Sequence, residues 1–230
     1  PVDLYGAWLA TGNILVWTTA FDPGLSTVLL QRISFSYGKG DFRSLVEFVV
    51  AGTLLGLGIS IIIIVVGFVF GSRMSMLLGL ASNFDVETLS NAFFIAVIGS
   101  SAMVFTYSIR AICLGLQGSL GVGLIYLIAN ITGIILTIGL LFSGYGLFAI
   151  AISPLFSSIG IIIGLLAYLL WRVLNEKIIF FFSLKKISEL FNLMSFTFLG
   201  RTAGVVANNM DLFVVARLLG PEIVPLLHIT

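Results

Sequence analysis

Arg201, Asn208 and Asp211 lie within one apolar run, SFTFLGRTAGVVANNMDLFVVARLLG, at separations of seven and three residues. At about 100° of helical turn per residue, that spacing gathers them within about 80° of one another as a single polar stripe. An ionised side chain at the centre of a bilayer costs about 2.5–3.5 kcal/mol, so it is kept where it meets a cavity or a partner. The stripe reads as a cationic, hydrogen-bonding lining for an anionic cargo through Arg201 and Asn208, with Asp211 as an ion- or proton-coupling carboxylate. The alternative is a structural Arg and Asp satisfied by neighbouring helices. A second carboxylate, Asp22, stands in Asp22-Pro23-Gly24 inside the first apolar run. Proline removes a backbone donor and glycine loosens the helix, so a broken helix with an ion-coupling Asp22 beside it is one reading. The other is a plain turn, since Asp-Pro-Gly favours one, with Leu25 to Ile33 as a separate interfacial helix.

Two further cations, Arg32 and Arg110, fall near the ends of apolar runs, where they could catch a phosphate as it enters or serve as snorkelling anchors. Gly38 and Gly40 follow Arg32 and offer left-handed helix caps. The GxxxxGK[ST] pattern of a phosphate loop is absent from this stretch, and no HExxH, Ser/His/Asp grouping or nucleotide fingerprint occurs elsewhere. An enzyme reading therefore lacks reacting groups, and no cofactor is implied. The single Cys113 excludes an internal disulfide and any multi-Cys metal site. Eleven basic against ten acidic residues give a net charge of +1, which offers no field for nucleic acid. Gln117, Asn130 and Asn192 read as interhelical hydrogen bonders, and Trp8, Trp17 and Trp171 as interface anchors.

The elements that must position these residues are membrane helices. Hydrophobic residues make up 59% of the chain, charged residues only 9%, and mean hydropathy is +1.19. Six apolar segments, Leu4 to Leu30, Leu45 to Phe70, Leu89 to Leu116, Leu120 to Phe142, Leu147 to Leu170 and Ile187 to Leu219, approach or exceed the roughly 20 residues that one crossing needs. Period-2 alternation is missing, so strands are excluded and an all-α integral membrane protein is expected. The four-residue spacings Gly52/Gly56 and Gly160/Gly164 suit close helix packing.

Placing Pro1 outside puts Arg32, Lys39, Arg43, Arg110, Arg172, Lys177, Lys185 and Lys186 on the inner side and only Arg73 and Arg217 on the outer, a strong positive-inside pattern. The connector from Asn175 to Lys186 divides five helices from the start of another block. Pro1-Val2-Asp3-Leu4 and Pro221-Glu222-Ile223-Val224 open apolar runs on the same side, as an internal repeat would require. The start without Met and the end within an apolar run are expected of a fragment.

The ordered set LYGAW, FDPGLSTVLLQRISFSYGKGDF, GYGLFAIAI and NNMDLFVVARLLGPE resembles the polysaccharide exporters and O-antigen flippases of the multidrug/oligosaccharidyl-lipid/polysaccharide exporter superfamily. The resemblance implies a two-lobe fold of about twelve to fourteen helices around a central cavity. Here residues 1–184 would form a first lobe lacking its first helix, and 185–230 the start of the second: six transmembrane helices and the beginning of a seventh. It further implies transport of an undecaprenyl-diphosphate-linked oligosaccharide from the cytoplasmic to the periplasmic leaflet of the cell inner membrane. Alternating access would be driven by a proton or sodium gradient, with membrane lipids and a polysaccharide polymerase or glycosyltransferase as expected partners. A multidrug or organic-cation exporter of the same fold is the nearest alternative, and should favour acidic and aromatic linings over Arg201. A non-transporting scaffold for polysaccharide synthesis is the other.

Overall fold

The computed structural model describes residues 8–9, 24–73, 86–176, 183–195 and 217–218, and every regular element among them is helical. Helix α1 (Leu25–Gly38) starts after Gly24, whose φ of +83° turns the chain into it. A helix that begins here fits both readings of Asp22-Pro23-Gly24, and it runs on to Gly38 rather than ending at Ile33. Asp22 and Pro23 lie outside the described residues. Gly40, at φ +69°, and Asp41 complete a tight turn in which the Gly40 N–H donates to the Tyr37 carbonyl and the Asp41 N–H to that of Ser36. Asp41 then caps α2 (Phe42–Gly71), its carboxylate accepting from the Ser44 N–H at 3.1 Å. Of the two expected left-handed glycines Gly40 is one, while Gly38 is the last residue of α1.

Helices α3 (Val86–Gly115), α4 (Ser119–Phe142) and α5 (Leu147–Glu176) follow, joined by a turn with Gln117 at φ +61° and another with Gly144 and Gly146 at +82° and +52°. Helices α2 to α5 are each long and apolar enough to cross a membrane. Four of the six expected crossings are thus present as helices, and the protein is a multi-pass membrane protein by length and composition. A shorter helix, α6 (184–195), covers the beginning of the sixth apolar segment. From residue 196 onward only 217–218 are described.

The α3 helix is the axis of the bundle. It packs against α5 most extensively, then against α2 and α1, whereas α4 rests chiefly on α5. Small residues govern these approaches. A Cβ at Gly52 would strike the Leu29 side chain of α1, and one at Gly56 would strike Ser108 of α3, as the four-residue spacing predicts. The second such pair is half fulfilled: Gly164 faces Ile125 of α4, whereas Gly160 has only Ala129 Cβ at 3.9 Å. A closer approach was not legible in the pattern. Gly99 of α3 meets the backbone of α5, where an added Cβ would lie 3.1 Å from Leu155 Cα and N. Pro154 sits beside that crossing, within α5, and leaves one helical carbonyl without its donor.

Serines, rather than the expected amides, hydrogen-bond between helices. Ser60 Oγ donates to the Ser101 carbonyl at 2.9 Å, and Ser157 and Ser158 donate to the carbonyls of Ala129 and Gly99, each at 3.3 Å. Gln117, Asn130 and Asn192 are exposed. Their long amides need room that these close contacts do not leave, whereas a serine hydroxyl fits within them.

The two ends of the bundle differ in chemistry. At one end Trp8, Phe93 and Ala151 are buried, with Phe70 and Phe94 against them and Phe94 stacked on Phe68 at 4.7 Å. Trp8 belongs to this core and is not an exposed anchor; Trp171, 58% exposed near the far end of α5, fits that role. At the other end α1, the first turns of α2, the last of α3 and α6 enclose Leu29, Ile33, Leu45, Ile112, Leu190 and Met194. This second end carries Arg32, Lys39, Arg43, Lys185 and Lys186, with Arg172 reaching Leu116.

Candidate functional site

Of the residues singled out in the sequence, Arg201, Asn208, Asp211 and Asp22 lie outside the described residues. Arg32 and Arg110 are described, and the structure separates them. Arg110, on α3, is exposed and lies over the ring of Tyr126 on α4, its guanidinium carbon 5.1 Å from the ring centroid. The Tyr126 hydroxyl is within hydrogen-bond distance of Thr106 Oγ1, at 3.2 Å.

Arg32 instead lines a hollow of about 150 Å³ at the basic end, together with Phe35, Ser36, Lys39, Asp41, Ser44, Phe48, Lys186 and Glu189. Three short segments build it. The last turns of α1 and the cap residue Lys39 supply Arg32 through Lys39, the capped first turns of α2 supply Ser44 and Phe48, and α6 supplies Lys186 and Glu189. Leu190 and Met194, buried in the same apolar cluster as α1 and α2, fix the seat of α6. The heads above them are thereby held in register.

Glu189 is the centre of the charge arrangement. One carboxylate oxygen pairs with Arg32 Nη2 at 3.2 Å and the other with Lys186 Nζ at 3.2 Å. The Arg32 and Glu189 side chains are 39% and 31% exposed, so such a pair is worth at most about 1 kcal/mol. Lys186 also sits 4.3 Å from the Phe48 ring centroid, and Lys39 sits 4.2 Å from that of Phe35. Asp41 is engaged with the α2 N-terminus. Three cations against two carboxylates leave the lining with one positive charge. Its chemistry suits an anion that can share the Arg32 and Lys186 donors with Glu189.

Sequence reasoning missed Lys39, Lys186 and Glu189 as neighbours of Arg32. The Lys186/Glu189 spacing of three was a visible helical pair, but 157 positions separate Arg32 from Glu189 and no local pattern joins them. Arg172 was counted only as an inner-side charge. Its Nη2 donates to the Leu116 carbonyl at 2.8 Å and so caps the end of α3, while its buried Nε has no hydrogen-bond partner among the described residues.

Among the described residues no group of His, Cys, Asp and Glu is placed to hold a metal ion. No curated protein and no solved structure matches the chain at a significant level. Residues 120–228, which take in α4, α5, α6 and the Arg201–Asp211 segment, match the family described as "Polysaccharide biosynthesis protein". Over these residues, somewhat under half of its length, the chain is similar to the polysaccharide biosynthesis protein family.

Proposed function

We propose that the protein is a flippase that carries an undecaprenyl-diphosphate-linked oligosaccharide across the cell inner membrane for surface polysaccharide assembly. The observation that carries this reading is the family match, because it runs through both the membrane helices α4 and α5 and the stripe of Arg201, Asn208 and Asp211. A diphosphate joined to sugars loses its hydration in hydrocarbon, so it needs a polar lining to cross. Arg201 and Asn208 supply that lining in this reading, Asp211 and Asp22 couple an ion gradient, and Arg110 stands as a secondary contact at the entry side. Residues 1–184 belong to one lobe and 185–230 begin a second, with rocking between them exposing the site to each side in turn. Gathering the basic residues at one end of the bundle supports assigning that end to the cytoplasm.

The test is transport of a labelled lipid-linked oligosaccharide in vesicles by the full-length protein. Arg201→Ala is expected to lower transport at least ten-fold, with Arg201→Lys retaining part of it. Unchanged transport in Arg201→Ala, with the protein correctly inserted, would remove the anionic-cargo reading.

A further inference from the structure

The hollow at the basic end combines three features that none of its residues has alone. The cations come from different segments, Arg32 from α1, Lys39 from the turn that follows it and Lys186 from α6, and converge on one concave space. Among the described residues Lys39 has no carboxylate partner and rests only on the Phe35 ring. The anion between Arg32 and Lys186 is the protein's own Glu189 carboxylate, bound by one oxygen to each. A single water needs roughly 10–15 Å³ of such space, so a hollow of about 150 Å³ admits a tetrahedral oxyanion with water around it.

Its depth in the membrane identifies the source of such an oxyanion. Helix α2 has 30 residues, a length of about 45 Å at 1.5 Å per residue, against a hydrocarbon core of about 30 Å and about 40–45 Å with the headgroups. The first turn of α2, which forms one wall of the hollow, therefore stands at headgroup level. Phe35 and Phe42 flank it, 58% and 48% exposed, as rings sit at a membrane interface.

We propose that the hollow between α1, α2 and α6 binds the phosphate of an anionic membrane-lipid headgroup, with Arg32, Lys39 and Lys186 as its donors and Glu189 as a built-in competitor. Lipid phosphate displaces the Glu189 carboxylate from Arg32 and Lys186, while Lys39 adds a contact that Glu189 does not use. Because Glu189 also ties α6 to α1, occupancy of the hollow loosens that tie. The proposal uses no residue of the Arg201 stripe, and occupancy of the hollow does not depend on whether the protein transports.

The competitor gives a test whose sign a plain ion-pair clamp would not produce. Full-length protein is exchanged into nanodiscs of phosphatidylcholine with a minority of phosphatidylglycerol. Retained lipid is then read by native mass spectrometry, with size-exclusion profiles confirming folding. Lys39→Ala is expected to lower phosphatidylglycerol retention about five-fold, the equivalent of about 1 kcal/mol for one basic residue at an anionic surface. Glu189→Gln, which keeps the size of the side chain, is expected to raise retention several-fold. Arg73→Ala, which removes a basic residue beyond the other end of α2, serves as the control and should lower retention less than Lys39→Ala; an equal loss overturns the proposal. Unchanged or lower retention in Glu189→Gln overturns the proposal, as does a Lys39→Ala variant that retains lipid like the parent. Displacement of phosphatidylglycerol by millimolar inorganic phosphate would assign the hollow to a soluble oxyanion and overturn the lipid assignment.

Discussion

Helices α3 and α4 are neighbours in sequence and both long enough to cross a bilayer, yet they hold opposite positions. In its most apolar stretch α3 has a mean hydropathy of 1.8 and is 56% buried within the protein, whereas α4 has 2.3 and is 11% buried. The less apolar helix is the inner one. In water this order would be reversed, because burial there follows apolarity. In lipid, hydrocarbon is as good a surrounding for Leu and Ile as another helix is, so packing is decided by close approach and by hydrogen bonds. Helix α3 offers Gly99, Ser101 and Ser108 to its neighbours, and α4 offers Ile131, Ile134, Ile135 and Ile138 to the lipid.

Three substitutions would break or sharpen this contrast. The largest effect is expected from Gly99→Leu, because the obstacle is the Leu155 backbone, which cannot swing aside. Overpacking of this kind destabilises by up to about 3 kcal/mol or more, and denaturation in detergent should report it as a large fall in midpoint. A smaller effect is expected for Ser60→Ala, which removes the bond to the Ser101 carbonyl. Interhelical hydrogen bonds in membranes average about 0.6 kcal/mol, and the same assay should resolve a loss near that value. The smallest is expected for Ile135→Ala on α4, a residue 64% exposed to its surroundings, with stability unchanged to within about 0.5 kcal/mol. A fall comparable to that of Gly99→Leu would mean that α4 packs against protein on its outer face.

The same physics explains what could be read from the chain directly. Long apolar runs announce crossings because each must span a fixed thickness, and α2 to α5 begin and end within about six residues of the runs that predict them. The pair Gly52/Gly56 was legible because both glycines share one face of one helix. Which helix occupies the middle was not legible, since hydropathy in lipid does not report it. The hollow around Arg32 was half legible: Arg32 stood out as a cation at the end of an apolar run, but its carboxylate arrives on α6 after five helices have folded back. Arg110 carried the same local signal and proved to lie over Tyr126 instead. Position along a helix predicts depth, while the side of the bundle depends on tertiary packing.

Pro154 falls between two stretches of α5 that pack against different partners. The stretch before it carries Leu147 and Phe148 into the aromatic cluster with Trp8, and the stretch after it carries Ile161 and Leu165 against α3 and α4 and ends near Arg172. A rung of the ladder is missing between them, and Gly99, pressed against the next residue, holds the joint in place against α3. Bending of α5 at mid-depth would therefore require α3 to move with it.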